Sequence, residues 1–190
     1  QVPTVFLSED LRDEPLSCVT TDNTGATYLA MEYMRSLGHR EILYFGRRHT
    51  VTHQLRAEGY LRACRDMGLT PRIVDSSFPR SSVAGGYELA RELFTKPLDY
   101  TAILASTDSN ALGILRAADE LGIRVPEQLS LMGFDNIASA AMPRIDLTTV
   151  EQSKRERALQ AAEILLEKIE RGTQGYVHQI LMPSLVKRSA

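Results

Sequence analysis

The stretch TAILASTDSNALGILRAADELGIRVPEQLSLMGFDN, residues 101–136, decides how the rest of the chain is read. TAILAS (residues 101–106) is apolar without alternation and reads as a buried strand. Residues 110–121 carry apolar side chains at helical spacing and close at Gly122. LSLMGF (residues 129–134) is a second buried strand. A strand, a helix and a further strand, with the strands apolar on both faces, imply a parallel sheet covered on both sides. Each of the two strands ends on polar chemistry, Thr107 and Asp108 after the first, Asp135 and Asn136 after the second. A plain turn needs no such groups.

The alternation continues outward. Residues 2–7 are a short apolar run, and Asp22, Asn23 and Thr24 offer N-cap chemistry ahead of Leu29, Ala30, Tyr33, Met34 and Leu37. Gly38 stops that helix, and EILYFG (residues 41–46) is the next strand. Leu55, Gly59, Tyr60, Ala63 and Met67 mark a helical face ending at Gly68. Residues 72–75 read as a strand, and residues 82–95 as a helix carrying Tyr87, Ala90 and Phe94. Beyond the opening stretch come a short strand at 147–150, a polar helix at 154–171 and an extended segment at 177–186. The class is α/β, doubly wound. Breaks near Gly38, at 150–152 and at 173–176 are where a chain of two lobes would cross between them.

Composition narrows the function classes. The 190 residues are 43% hydrophobic and 24% charged, enough to bury a core, and the formal net charge of -2 gives no single-sign field for holding a phosphate backbone. Two unclustered cysteines, Cys18 and Cys64, fit free thiols in a reducing cytosol. No apolar run approaches the roughly 20 residues of a membrane span, and the first residues are no signal peptide.

In open parallel sheets the ligand crevice lies at the carboxyl ends of the strands. Five loops therefore supply candidates: the one leading to Arg56, the one carrying Phe78, Thr107 with Asp108, Asp135 with Asn136, and Gln152. A carboxylate accepts from vicinal hydroxyls, a guanidinium donates in a planar fork, and an aromatic face covers the C–H side of a ring. Together they suit a small polar ring compound. The same residues have structural readings, since Asp at a strand end also caps helices and Arg56 also has acids to pair with.

The ordered set VPTVFLSED, VTTDNTGATYLAMEYMRSLGHREILYFG, QLRAEGYLRAC, TAILASTDSNALGILRAADELGIRVPEQLSLMGFDN, LTTVEQ and LMPSLVKRSA resembles the effector-binding region of the lactose-repressor (LacI) family of bacterial transcriptional regulators. The resemblance spans essentially the whole chain. It implies a two-lobed, type I periplasmic-binding-protein-like fold whose N-terminal lobe is incomplete here, with the helix-turn-helix domain outside this chain. Residues 1–37 and 151–177 would form the partial N-terminal lobe, and 38–150 with 178–190 the C-terminal lobe. Arg56 in R-x-x-G-Y and Asp135 in GFDN match positions that hydrogen-bond the effector in such proteins. Phe78 falls where an aromatic wall is common, Thr52 precedes the arginine, and Asp22 and Gln152 match positions near the crevice. Thr107 precedes Asp108 where the family commonly has Asn or another polar residue, so the usual carboxamide contact is not implied here. The implied partners are a small polar effector such as a sugar, a second copy in a homodimer, and operator DNA through the N-terminal domain. The implied location is the cytoplasm, with no cofactor. A periplasmic sugar-binding protein of a transporter is the alternative, and an orphan sensor module a third.

Other conspicuous residues read blandly. His49 and His53 lie four apart, but H-T-V-T-H lacks a metalloprotease glutamate and a third ligand nearby, so no metal is expected. Arg47 and Arg48 read as a solvated loop, with contact to an anionic effector group such as a phosphate or carboxylate as the alternative, and Tyr28, Tyr33 and Met34 as core or partner face. Neither a phosphate-binding glycine loop nor a nucleophile elbow occurs, so no enzyme is expected.

Overall fold

The computed structural model of the chain describes residues 2–46, 50–75, 82–172 and 175–189. The elements begin β1 (Val5–Leu7), β2 (Ser17–Thr21), α1 (Asn23–Ser36), β3 (Ile42–Gly46), α2 (Val51–Met67), β4 (Arg72–Asp75) and α3 (Val83–Leu93). They continue with β5 (Ala102–Ala105), α4 (Asp108–Glu120), β6 (Ser130–Met132), β7 (Thr149–Glu151), α5 (Lys154–Arg171), β8 (His178–Leu181) and β9 (Ser184–Val186).

Two sheets define two lobes. The first has the order β1-β2-β8, all parallel, with α5 packed on β1 and β2. The second has the order β4-β3-β5-β6, also parallel, and a bridge from Met132 to Thr148 carries it on to the antiparallel pair β7-β9. Successive side chains of a strand point to opposite faces, and here both faces are buried. Ile42, Tyr44, Ala102, Leu104 and Met132 pack against Ala26, Ala30, Met31 and Met34 of α1 and Ala57, Tyr60, Ala63 and Cys64 of α2. Leu43, Phe45, Ile103, Ala105 and Leu131 pack the other way, against Ala90 of α3 and Ala111, Ile114 and Ala117 of α4. The close approach of α3 to α4 depends on Gly113, where a Cβ would run into the backbone of Val83 and Tyr87.

The chain crosses between lobes at 21–23, 151–153 and 181–184, and two of the three expected crossings are thereby corrected. Gly38 is no boundary. It follows α1, but the buried face of α1 packs on α2 and the second sheet, so residues 23–37 belong with the second lobe. The extended segment expected within one lobe splits: β8 pairs with β2 in the first, β9 with β7 in the second. Pro183, lacking a backbone N–H, sits at the break. β2 was not expected as a strand, because Ser17, Thr20 and Thr21 make it look polar. All five of its residues are buried, and the hydroxyls of Thr20 and Thr21 donate to the carbonyls of Ser8 (3.5 Å) and Gln152 (3.1 Å).

Candidate functional site

Arg56 is the centre of the polar network at the carboxyl ends of the second sheet. It lies on α2, whose first turn is fixed by Thr50, the side chain of which accepts from the His53 N–H. Only 4% of Arg56 is exposed. Its Nε donates to Asn23 Oδ1 (3.0 Å), its Nη1 to the Ser106 carbonyl (2.6 Å), and its Nη2 faces Asp135 Oδ1 at 3.5 Å. The guanidinium also lies over the Phe134 ring, 3.7 Å from its centroid, where the electron-rich face attracts a cation. One side chain thus joins the first crossing, the end of β5 and the end of β6. Burial pulls the Arg56 pKa down and the Asp135 carboxylate opposes this.

Asp135 is presented by strained backbone. Its φ is 118° and that of Asn136 is 47°, left-handed values that non-glycine residues adopt only when surroundings enforce them. Here the Asp135 N–H donates to Val150 (2.9 Å), the Asn136 N–H to Thr149 Oγ1 (3.3 Å) and the Asn136 amide to Glu151 Oε2 (2.7 Å). Arg188 Nη2 donates to Asn136 Oδ1 (2.9 Å), closing the frame. The Asp135 Oδ1 also accepts from Gln152 Nε2, whereas Oδ2 receives no hydrogen bond among the described residues. Burial raises the Asp135 pKa, Arg56 lowers it, and nearby Asp108 raises it again. The result is a half-buried carboxylate with one oxygen committed and one open.

Asp108 differs from the expectation that it meets an effector. It is wholly buried, with Oδ1 accepting from the Thr149 hydroxyl (2.6 Å) and Oδ2 from the Ile137 N–H (2.9 Å). A Cβ on Gly133 would collide with this carboxylate, so the glycine of GFDN makes room for it. Burial raises its pKa, with the Thr149 and Ile137 hydrogen bonds opposing.

The remaining candidates are placed as follows. Thr107 is buried and N-caps α4, its hydroxyl donating to Asn110 Oδ1 (2.8 Å) and accepting from the Asn110 N–H (3.2 Å). Thr52 donates across the lobes to the Ser8 carbonyl (3.1 Å). Asp22 N-caps α1 through Gly25 (2.8 Å) and borders a pocket of ≈ 340 Å³ with Asp10, Arg12 and Leu55. Gln152 is buried and meets Asp135. Phe78, like His49, Arg47 and Arg48, lies outside the described residues. Three members of the network went unread in the sequence: Asn23, taken only as cap chemistry, Ser106, which contributes a carbonyl and so leaves no side-chain signal, and Arg157. Arg157 Nη1 donates to Thr21 Oγ1 (3.3 Å) and Gln152 Oε1 (3.2 Å). A basic residue at the start of a helix, against the helix dipole, was the signal available for it.

Among the described residues no group of three or more His, Cys, Asp or Glu side chains is placed to hold a metal, and no helix is long and apolar enough to cross a membrane. Parallel sheets in two lobes, three crossings and a polar network beside them define a ligand-binding domain of the periplasmic-binding-protein type. Residues 31–190 match the family described as the periplasmic binding protein-like domain. The HTH-type transcriptional repressor PurR of Haemophilus influenzae is 33% identical over 170 residues, 86% of this chain and 50% of that protein. The HTH-type transcriptional regulator MalR of Streptomyces coelicolor is 33% identical over 177 residues, 90% of this chain and 51% of that one. A LacI family transcriptional regulator from Enterococcus faecium, solved with bound ribose, superposes with a TM-score of 0.87 at 26% identity, covering 98% of this chain and 69% of that one. The CelR–cellobiose complex superposes at 0.85 and 26%, covering 97% and 57%. The chain belongs to the periplasmic binding protein-like domain family, as the effector-binding region of a LacI-type regulator. It spans about half the length of the curated relatives it matches.

Proposed function

We propose that this chain senses a small polar metabolite, a sugar or a related ring compound, between its lobes, and that the regulator it belongs to changes operator affinity in response. The observation that carries this reading is the convergence of Arg56, Asp135 and Gln152 beside the crossings, with Asp135 Oδ2 left open to accept from a ligand hydroxyl or N–H. Arg56 holds Asp135 in place, and Phe134 is committed to the guanidinium. Thr52 and Asp22 stand as further contacts, with Phe78 as the family resemblance implies; Thr107, buried with its hydroxyl committed to Asn110, supports α4. Asp108 acts behind them as support for the loop.

Effector response follows from differential affinity for two relative lobe orientations. Coupling of about 1–3 kcal/mol changes operator affinity roughly 5- to 150-fold. The protein acts in the cytoplasm as a homodimer, and DNA is held by a helix-turn-helix outside this chain, in keeping with the HTH-type names of its relatives. A solute-binding role in transport uses the same crevice, but the named relatives are regulators. A thermal-shift screen of pentoses, hexoses, disaccharides and purine bases tests the reading. A true effector at 100 times its Kd stabilises the fold by about 2.7 kcal/mol, and in Asp135→Asn the same concentration stabilises by about 1.4 kcal/mol or less. A screen in which every compound shifts wild type and Asp135→Asn equally rejects this site.

A further inference from the structure

Arg157 is the least expected member of the network. It sits in the opening turn of α5, in the first lobe, where a cation opposes the helix dipole, yet it is 9% exposed. Burying a guanidinium is costly unless an anion neutralises it. Among the described residues Arg157 has no carboxylate within ion-pair distance, although the charges of Asp135 and Glu151 act on it from farther away and favour its charged form. What it has instead are two neutral acceptors, Thr21 Oγ1 at 3.3 Å and Gln152 Oε1 at 3.2 Å, both served by the single nitrogen Nη1. Thr21 in turn donates to the Gln152 carbonyl at 3.1 Å. Two of the three crossings are therefore laced together, and the lace is made by a first-lobe side chain.

The consequence falls on Gln152. A glutamine amide has a donor end and an acceptor end, and either can face a given neighbour. Its two neighbours here are opposite in kind: the Asp135 carboxylate only accepts, and the Arg157 guanidinium only donates. One orientation satisfies both, with Oε1 on Arg157 and Nε2 on Asp135. With Nε2 on Asp135 alone the amide would pivot about a single contact; Arg157, on Oε1, fixes its other end and keeps the N–H groups turned to the crevice. We propose that Arg157 is a positioning residue that fixes Gln152 as a hydrogen-bond donor and ties the Arg56–Asp135 pair to the first lobe. This rests on the sensing role proposed above for the same crevice, but its test needs no ligand.

The test is side-chain amide NMR on the 15N-labelled full chain, with the Gln152 NH2 pair assigned by its disappearance in Gln152→Ala. In Arg157→Met, which keeps a long apolar stem, the Gln152 amide loses the contact that fixes its oxygen end, swings about Nε2, and its protons exchange with solvent about tenfold faster than in wild type. Backbone amides of α5 keep their positions. In Arg157→Lys the slow exchange is retained, because one nitrogen makes both bonds and an ammonium can replace it. Unchanged Gln152 exchange in a folded Arg157→Met chain overturns the proposal. If Arg157→Met does not fold, Arg157→Lys decides: slow exchange supports the positioning role, and exchange as fast as in an exposed glutamine rejects it. Failure of an effector screen leaves these readouts untouched, so the two ideas fail separately.

Discussion

The ends of β5 and β6 lie side by side, and each presents an aspartate, yet the two carboxylates have opposite situations. Asp108, after β5, is wholly buried with both oxygens occupied by groups of the chain itself. Asp135, after β6, is half-buried, carries both of its internal hydrogen bonds on one oxygen, and leaves the other open. A carboxylate at a strand end is therefore an ambiguous signal. What separates a structural group from a candidate ligand-binding one is how many of its acceptor sites the protein has already filled.

The sharpest way to break that comparison is Asp108→Ala. It leaves the Ile137 N–H and the Thr149 hydroxyl buried without an acceptor, which costs about 3 kcal/mol of stability in urea unfolding. If the loss is within experimental error of zero and effector binding vanishes instead, the assignment of the two aspartates is reversed. Next in size is Arg56→Lys, because Arg56 connects the two strand ends. An ammonium cannot serve Asn23, the Ser106 carbonyl and Asp135 at once, so stability falls by about 2 kcal/mol, with effector affinity falling alongside. Unchanged effector affinity would remove Arg56 from the site. Smaller again is Asp135→Asn, which keeps shape and one acceptor. Effector affinity drops about tenfold or more while unfolding moves by less than about 1 kcal/mol. A large unfolding shift with normal binding would make Asp135 another structural group.

Much of this was legible beforehand. The helices of the second lobe follow from apolar spacing and their caps, and LSLMGFDN places a carboxylate and a carboxamide where a turn needs neither, the carboxamide being spent on Glu151 and Arg188. Arg56 and Asp135 were both expected at the crevice, and the structure brings them to 3.5 Å. The lobe boundaries were less legible, for a physical reason: the apolar face of a helix records that it is buried, not which sheet buries it. Gly38 ends α1 and looks like a border, while the actual crossing at 21–23 is disguised as an N-cap. β2 hid because its hydroxyls look like surface chemistry until their carbonyl partners, distant in sequence, are known. Asp108 hid for the converse reason, since its partners Thr149 and Ile137 arrive from the following strand and loop.

The smallest effect concerns proton binding at Asp108 itself. Burial holds its folded-state pKa above the unfolded value, with the Thr149 and Ile137 hydrogen bonds and the charges of Lys154 and Arg188 pulling the other way. A group whose pKa is raised on folding contributes stability that is fully present below the unfolded value and lost as pH rises through the folded one. Asp108→Asn retains an acceptor for Ile137 and a polar partner for Thr149 but cannot ionise. The stability of wild type relative to this variant should therefore be greatest near pH 3.5 and decline toward neutrality, about 3.9 being the usual unfolded value. Taking the difference between the two proteins cancels the carboxylates that do not feel Asp108; Asp135, whose pKa the Asp108 charge raises, adds to the difference in the same direction. Urea midpoints measured at intervals from pH 3.5 to 7 read it directly, about that reference value. A wild-type advantage that grows with pH would mean that the two hydrogen bonds outweigh burial. Asp108 would then be a stabilised anion at the strand end, closer in character to Asp135 than its enclosure suggests.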